Sequence, residues 1–268
     1  MKVTSDWKKM KKEGEKITMV TAYDYPSAKQ SEAAGMDTLL VGDSLGMTVL
    51  GYNSTVQVTM DDMVHHAKAV RRGAPDTYIV VDMPFGTYHA NVDDGVGNAI
   101  TLYQKTDANA IKLEGSECID IIRRAVGAGV PVVGHLGLTP QSVGVTGFRM
   151  QASDEAAALQ LIEDAKAVEA AGASMIVLEA IPSDLARKVT SVLEIPTIGI
   201  GAGVDVDGQV LVYHDVLQYG SERLPKFVRP FADFNTTGVE GLKSYAEAVK
   251  AGTFPDASTT YKRKVFEE

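Results

Sequence analysis

Residues 110–114, Ala110-Ile111-Lys112-Leu113-Glu114, contain the pattern on which the fold of this chain depends. They form a short, almost wholly apolar run that ends in a carboxylate, which is typical of a strand covered on both faces of a parallel sheet. The lysine interrupts the run two positions before the acid, so Lys112 and Glu114 face the same side of the strand. Runs of the same kind recur along the chain, and their repetition predicts the architecture.

Seven clear runs alternate with longer segments of helical periodicity, which predicts consecutive strand-helix-strand units. A weaker eighth run, Lys226 to Phe231 after Pro225, is the best candidate for the last strand. Eight such units predict one α/β domain over residues 1–268, a (β/α)8 TIM barrel. The alternative is a doubly wound open sheet, which is disfavoured because no Gly-x-Gly-x-x-Gly follows the first strand. The clear strand candidates are Ile17 to Ala22, Thr38 to Val41, Tyr78 to Val81, Ala110 to Leu113, Val130 to Val133, Met175 to Leu178 and Thr197 to Ile200.

The segments between the strands carry recognisable helix ends. Ser153 followed by Asp154 is typical of a helix start, and Gly172 is typical of a helix end. Before the first strand, Trp7 and Met10 on a lysine-rich segment predict a short N-terminal helix that caps the barrel bottom or contacts another subunit. The predicted barrel helices are Tyr25 to Ala34, Met60 to Arg72, Asp93 to Lys105, Glu117 to Ala128, Asp154 to Ala171 and Ser183 to Val192.

Composition and charge narrow the class of protein. The chain is 45% hydrophobic and 23% charged, as in an ordinary globular domain. Its net charge of −9 disfavours a nucleic-acid or anionic-membrane partner. A lone cysteine, Cys118, excludes an intrachain disulfide, and we find neither a secretory signal nor an apolar run of about 18 residues. We therefore expect a soluble cytoplasmic protein with small-molecule ligands.

Polar side chains stand at the ends of the predicted strands. Asp43, Asp82, Glu114 and Glu179 each follow a different apolar run, and His135 follows the fifth. In a barrel the carboxyl ends of all strands meet at one mouth, where enzymes of this fold place their catalytic groups. The sequence therefore predicts that these residues are neighbours in space.

Several carboxylates in one partly dehydrated mouth repel each other, so they are costly unless they are protonated or bind a cation. Oxygen-only ligands favour Mg²⁺, which takes few carboxylates and keeps several waters. Asp43 and Asp82 are the predicted direct ligands, and Glu114 binds directly or through water. The alternative is that each acid only caps the next helix or forms an ion pair.

Lys112 is expected to point into the upper barrel, on the side of its strand that Glu114 also faces. A lysine there is costly without a partner. It either pairs with the nearby acids or holds the anionic group of a substrate, and the two roles are compatible.

Longer motifs surround these residues: Val41-Gly42-Asp43-Ser44-Leu45-Gly46-Met47, Ala69-Val70-Arg71-Arg72-Gly73-Ala74, Asp82-Met83-Pro84-Phe85, Ile111-Lys112-Leu113-Glu114-Gly115, Gly134-His135-Leu136-Gly137-Leu138-Thr139-Pro140-Gln141-Ser142, Val177-Leu178-Glu179 and Ile198-Gly199-Ile200-Gly201-Ala202-Gly203. In this order, from about Thr21 to Lys226, the chain resembles the ketopantoate hydroxymethyltransferase family. Residues 42–47 and 134–142 are the most specific part of the match.

The resemblance implies that 5,10-methylenetetrahydrofolate, as co-substrate, donates its carbon to 3-methyl-2-oxobutanoate. The product is 2-dehydropantoate (ketopantoate), a step of pantothenate and coenzyme A synthesis. The resemblance also implies one Mg²⁺ per subunit at Asp43, Asp82 and Glu114, and assembly into a homodecamer.

The residues and the resemblance together suggest a mechanism through a magnesium-stabilised enolate of the oxo acid. Glu179 is the predicted base that removes the proton. Lys112 is expected to neutralise the substrate carboxylate, Ser44 to donate a hydrogen bond and His135 to orient the bound acid. Through the metal, the ligands Asp43 and Asp82 also belong to the substrate site.

Two alternatives remain open from the sequence. The first is a magnesium-dependent 2-oxo-acid lyase or a phosphoenolpyruvate mutase-like enzyme on a similar barrel, which would turn over without folate. The second is a non-catalytic barrel that serves as an oligomeric scaffold, against which the complete set of strand-end acids argues.

Overall fold

The apolar runs of the sequence are parallel β-strands in the structure, a computed structural model that describes residues 1–220, 223–263 and 265–266. Within these residues the strands are β1 (Ile17–Thr21), β2 (Thr38–Val41), β3 (Tyr78–Asp82), β4 (Ala110–Glu114), β5 (Val132–Gly137), β6 (Met175–Glu179), β7 (Thr197–Ile200) and β8 (Gly208–Leu211). Each pairs with the next, and β8 pairs with β1, where Val210 lies beside Met19. The closed barrel confirms the predicted (β/α)8 fold and excludes the open sheet.

The last strand lies elsewhere than the sequence predicts. The prediction of a strand over Lys226 to Phe231 is wrong: the barrel closes with Gly208–Leu211, and the predicted segment begins with a turn. The true strand has a weak apolar signature because Gln209 faces outward and is exposed. Its first residue must be glycine, since a Cβ on Gly208 would lie 2.4 Å from the carbonyl oxygen of Ile17.

Helices alternate with the strands, and the six predicted barrel helices are confirmed with ends that shift by at most two residues. Asp154, rather than Ser153, caps the helix that follows it: its Oδ1 accepts a hydrogen bond from the backbone N–H of Ala157 at 2.9 Å. Short 3₁₀ turns cover Thr55–Gln57 and Pro140–Ser142. In the described chain the helices are α1 (Thr4–Glu13), α2 (Tyr25–Ala33), α3 (Leu45–Thr48), α4 (Met60–Gly73), α5 (Val92–Thr106), α6 (Ile119–Gly127), α7 (Val143–Thr146), α8 (Glu155–Ala170), α9 (Ser183–Val192), α10 (Tyr213–Val216) and α11 (Phe234–Lys250).

The hydrophobic core fills the lower part of the barrel, where α1 covers the amino-terminal ends of the strands. Trp7 and Met10 of this helix are buried in one cluster with Met19 and Val210 of the barrel interior. The Trp7 ring meets the Tyr78 ring edge-on, with centroids 5.0 Å apart and planes at 87°. The predicted N-terminal helix at the barrel bottom is confirmed, and the upper interior is left to polar side chains.

Two compact units make up the chain. The first contains Met1–Tyr213 and Pro225–Val228, and the second contains His214–Leu224 and Arg229–Glu268. Within the second unit, the ring of Tyr219 stacks on His214, with centroids 5.3 Å apart. The assignment of residues 1–268 to one domain stays a prediction. Across the described residues, every helix falls short of the length and apolar character that a membrane span requires.

Candidate active site

Three carboxylates from three neighbouring strands converge at the carboxyl end of the barrel. Asp43 lies two residues after β2, whereas Asp82 and Glu114 are the last residues of β3 and β4. All three side chains are buried, and one oxygen of each lies within 4.8 Å of the others. The pairing of parallel strands produces this arrangement, because it brings the carboxyl ends of β2, β3 and β4 side by side.

Lys112 lies beneath this acidic triad, and its side chain is only 4% exposed. Its Nζ is 3.2 Å from Oδ1 of Asp82 and 3.4 Å from Oε1 of Glu114. These ion pairs confirm that Lys112 points into the upper barrel. They also confirm that it pairs with the nearby acids, which was one of its two predicted roles. Burial lowers the pKa of Lys112, but the surrounding carboxylates outweigh burial and raise it, so the lysine stays charged.

One lysine does not balance three buried carboxylates. Burial and the charges of Glu114 and Asp82 raise the pKa of Asp43 well above its usual range. Burial also raises the pKa of Asp82, although Lys112 opposes it. For Glu114 the effect of burial is outweighed by Lys112 and His135, which lower its pKa to about 2. The fully ionised triad is therefore unfavourable beside one lysine, and a bound cation would stabilise its ionised form.

The donor set fits a hard divalent cation. Carboxylate oxygens from three side chains converge, and Oδ1 of Asp82 has the ion pair with Lys112 at 3.2 Å but no hydrogen bond from the described residues. Three buried carboxylates that share one lysine are costly unless a further cation binds them. None of the four strand-end acids caps the helix that follows it, since the cap positions of α3, α5, α6 and α9 are other residues. Asp82 and Glu114 do form ion pairs with Lys112, and these pairs do not exclude a metal at the same carboxylates.

His135 connects the triad to Glu179. Its Nδ1 lies 3.0 Å from Nζ of Lys112 and 3.4 Å from Oε1 of Glu114, while its Nε2 lies 3.2 Å from Oε2 of Glu179. Burial and the charge of Lys112 lower the pKa of His135, but the combined effect of Glu114 and Glu179 is larger and raises it to about 9. The charged form of His135 is therefore favoured at neutral pH, and its Nε2 lies at ion-pair distance from Glu179.

All the predicted site residues line a single cavity of about 100 Å³. Its lining is partly polar and partly aliphatic, and the aliphatic part includes core residues such as Leu40, Val177 and Val210. This division suits a small anion that carries a branched apolar group. The polar lining contains Asp43, Ser44, Asp82, Lys112, Glu114, His135 and Glu179.

Comparison with known proteins identifies the family. The family model described as ketopantoate hydroxymethyltransferase matches residues 2–257. The chain belongs to this family. It is 60% identical over 268 residues to the 3-methyl-2-oxobutanoate hydroxymethyltransferase of Staphylococcus epidermidis, covering 100% of this chain and 98% of the relative. The enzyme of that name from Oceanobacillus iheyensis is also 60% identical, with 100% and 99% covered. As a member of the ketopantoate hydroxymethyltransferase family, the chain is an enzyme of the transferase class.

A more distant likeness concerns the fold alone. The crystal structure of 2,3-dimethylmalate lyase, a member of the PEP mutase/isocitrate lyase superfamily, superimposes with a TM-score of 0.61 and 16% identity. The match covers 97% of this chain and 92% of the lyase chain. The chain thus shares its fold with that lyase, while family membership favours the transferase interpretation over the lyase alternative.

Ser44 reaches the cavity from the loop after β2. Its Oγ is 2.8 Å from the phenolic oxygen of Tyr23, which follows β1. Burial raises the pKa of Tyr23 to about 12, so this tyrosine stays protonated and can donate to Ser44. That donation leaves the serine O–H free to point into the cavity of this hydroxymethyltransferase family member.

Two further polar residues, Gln141 and Tyr88, hold the triad in place without a clear signal in the sequence. The side-chain amide of Gln141 donates to Oδ2 of Asp43 at 2.8 Å, and its backbone N–H donates to Oε2 of Glu114 at 3.2 Å. Tyr88 in turn donates to Oε1 of Gln141 at 2.7 Å. Both residues lie in segments beyond strand ends, where the periodicity of strands and helices does not predict side-chain direction. The available signal was the position of Gln141 inside the specific 134–142 motif.

Proposed function

We propose that the chain transfers a hydroxymethyl group from 5,10-methylenetetrahydrofolate to 3-methyl-2-oxobutanoate, giving 2-dehydropantoate for pantothenate and coenzyme A synthesis. The observation that carries this proposal is the cavity in which the acidic triad, Lys112 and Glu179 meet beside an aliphatic wall. That cavity suits a small branched 2-oxo acid. The high identity to relatives that carry this activity in their name supports the same substrates.

We further propose that Asp43, Asp82 and Glu114 hold one Mg²⁺ per subunit. Three converging carboxylates that share only one lysine support a divalent ion, and oxygen ligands favour magnesium. When bound, the ion supplies Lewis-acid stabilisation of the negative charge that develops on the oxo acid. Gln141 fixes Asp43 and Glu114 from outside the cavity, so the triad is preorganised.

The cationic and hydroxyl groups of the cavity are suited to hold the oxo acid. The charged Nζ of Lys112 is available for the carboxylate or the keto oxygen of the substrate. Ser44 donates a second hydrogen bond, and His135 orients the bound acid. Asp43 and Asp82 belong to the substrate site as residues that would hold the metal. The aliphatic side chains of the same lining then receive the branched end of the acid.

Glu179 is our proposed general base. It lies on the cavity wall, and its side chain is 14% exposed, next to Nε2 of His135. Its carboxylate removes the proton on the third carbon of the oxo acid, and that carbon attacks the one-carbon unit of the folate. Both bonds from the transferred carbon to the folate nitrogens break, and a water supplies the hydroxyl oxygen and its hydrogen. The other hydrogen of that water and the proton removed from the third carbon go to the two nitrogens as tetrahydrofolate leaves.

We also propose that the chain works in the cytoplasm as a homodecamer, and the second unit offers a surface for subunit contacts. Although α11 has 17 residues, none of them is buried, and four large apolar side chains repeat along it at helical spacing. Val239, Leu242, Tyr245 and Val249 are 51%, 71%, 57% and 45% exposed. A subunit contact would cover them. Light scattering should therefore find a smaller particle for Leu242→Asp than for the neighbouring control Lys243→Asp, and equal decamers would refute this contact.

A direct assay tests the proposed function. Purified protein is incubated with 3-methyl-2-oxobutanoate, with or without methylenetetrahydrofolate, and 2-dehydropantoate is quantified by mass spectrometry. We expect product only when folate is present, loss of product in EDTA, and recovery when Mg²⁺ is added in excess. Consumption of the oxo acid without folate would instead favour a lyase, and a complete lack of turnover under all conditions would favour the scaffold alternative.

A further inference from the structure

A second, larger cavity opens beside the one that holds the acidic triad. Its volume is about 1020 Å³, and Glu179 is the residue that lines both cavities. We infer that this cavity, which we call the donor cleft, binds the reduced folate in one defined orientation, an inference that rests on the proposed function. Its lining contains Leu138, Phe148, Arg149, Met150, Gln209, Lys226 and Phe227.

The size and lining of the donor cleft suit a long, partly aromatic ligand. Ligand sites in proteins usually measure about 300–1,000 Å³, so the cleft accommodates a molecule much larger than a five-carbon acid. Phe148, Met150 and Phe227 line it although they are 70%, 55% and 40% exposed. Exposed apolar groups that converge on one cavity mark a binding surface. A flat pterin ring would cover these side chains by stacking.

The cleft also carries two cations. Arg149 and Lys226 are both exposed, and within the described chain neither lies within ion-pair distance of a carboxylate. In a protein with a net charge of −9, two unpaired cations on one cavity form a local site for an anion. The glutamate tail of a folate offers two carboxylates, which arginine and lysine bind through charge-assisted hydrogen bonds.

The two ends of the cleft fix the orientation of the donor. At the inner end, Glu179 is 14% exposed and borders the cavity of the oxo acid. The cations lie on exposed segments, so they mark the outer side. The methylene carbon must meet the third carbon of the oxo acid beside Glu179. The pterin end of the folate therefore lies inside, and its glutamate tail lies against Arg149 and Lys226.

Backbone geometry shapes one wall of the cleft. Gly201, just after β7, has φ = 65°, and a Cβ at this position would lie 2.7 Å from Cδ1 of Phe227. Only glycine allows the Phe227 ring to pack against the end of this strand. The aromatic wall is thus built by close contact between the barrel and residues 225–228, which belong to the same compact unit.

Two ligands distinguish contacts to the glutamate tail of the folate from contacts to its pterin ring. Isothermal titration measures the binding of tetrahydrofolate and of 6-methyltetrahydropterin, which has the ring but no carboxylates. We expect Arg149→Gln and Lys226→Gln each to weaken tetrahydrofolate binding about three- to tenfold and to leave pterin binding unchanged. Phe148→Ala should weaken both ligands. Arg123→Gln and Lys188→Gln remove exposed cations outside the cleft and should change neither.

Deuterium exchange at the third carbon of the oxo acid, which needs no donor, should stay at the wild-type rate in Arg149→Gln and Lys226→Gln. If the wild type forms 2-dehydropantoate while these variants bind tetrahydrofolate like the controls, the donor cleft is refuted and the proposed function stands. If the wild type neither forms product nor binds tetrahydrofolate, the proposed function fails and the cleft assignment fails with it.

Discussion

Replacement of Lys112 by methionine tests the electrostatics of the site. The substitution keeps much of the side-chain volume but removes the one lysine charge that lies beneath the triad. The Nζ of Lys112 forms ion pairs of 3.2 Å with Asp82 and 3.4 Å with Glu114, and all three side chains are only 4% exposed. At an effective dielectric constant of about 20, each pair is worth about 5 kcal/mol of Coulomb energy. The desolvation of the buried ions offsets much of this attraction.

Removal of one partner from a buried ion pair typically costs about 3–5 kcal/mol, because the other charge is left uncompensated. With about 2–4 °C per kcal/mol for a domain of this size, the melting temperature in EDTA should fall by roughly 6–20 °C. Mg²⁺ should raise the melting temperature of Lys112→Met more than that of the wild type, since the ion compensates the same carboxylates.

The matched control is Lys166→Met. Lys166 pairs with Glu163 at 2.8 Å, but these side chains are 47% and 66% exposed. Such a surface pair contributes about 0–1 kcal/mol, so this variant should melt close to the wild type. Differential scanning calorimetry in EDTA, with and without excess Mg²⁺, measures both effects. Equal melting temperatures for the two variants in EDTA would refute the electrostatic reasoning.

Three further predictions concern single side chains. Glu179→Gln should lower deuterium exchange at the third carbon of the oxo acid by about 10²–10⁴-fold while Mg²⁺ affinity is unchanged, and wild-type exchange would remove Glu179 from the role of base. Gln141→Leu deprives Asp43 of its 2.8 Å hydrogen bond, so calorimetric Mg²⁺ affinity should fall about 10–100-fold, and an unchanged affinity would show that the amide does not position the ligand. Burial raises the pKa of Cys118 to about 12, so iodoacetamide at pH 8 should label native protein far more slowly than urea-denatured protein, and equal rates would contradict its burial.

The sequence predicted the elements that are continuously apolar and the polar residues that end them. Ala110–Glu114 is such a strand, and because all strands of a parallel barrel end at one mouth, the convergence of Asp43, Asp82 and Glu114 followed from fold class alone. The direction of Lys112 followed from the two-residue period of a strand.

Other features depend on tertiary contacts that periodicity does not encode. The strand Gly208–Leu211 begins with a glycine because the Ile17 backbone passes close by, so its apolar run is too short to recognise. Gln141 and Tyr88 act from segments beyond the strand ends, whose path is set by packing rather than by sequence pattern. The donor cleft also escaped sequence analysis, since its walls come from segments distant in the chain.

Calorimetric titration of Mg²⁺ into wild type and Asp82→Asn, with and without 3-methyl-2-oxobutanoate, tests the central claim that the acidic triad holds one cation for the oxo acid. We predict one site per wild-type subunit, tighter in the presence of the acid because the two ligands are reciprocally coupled. Asp82→Asn should lose affinity by more than about tenfold and lose the coupling, whereas Glu163→Gln on the surface should change nothing. Wild-type affinity and coupling in Asp82→Asn would contradict the account.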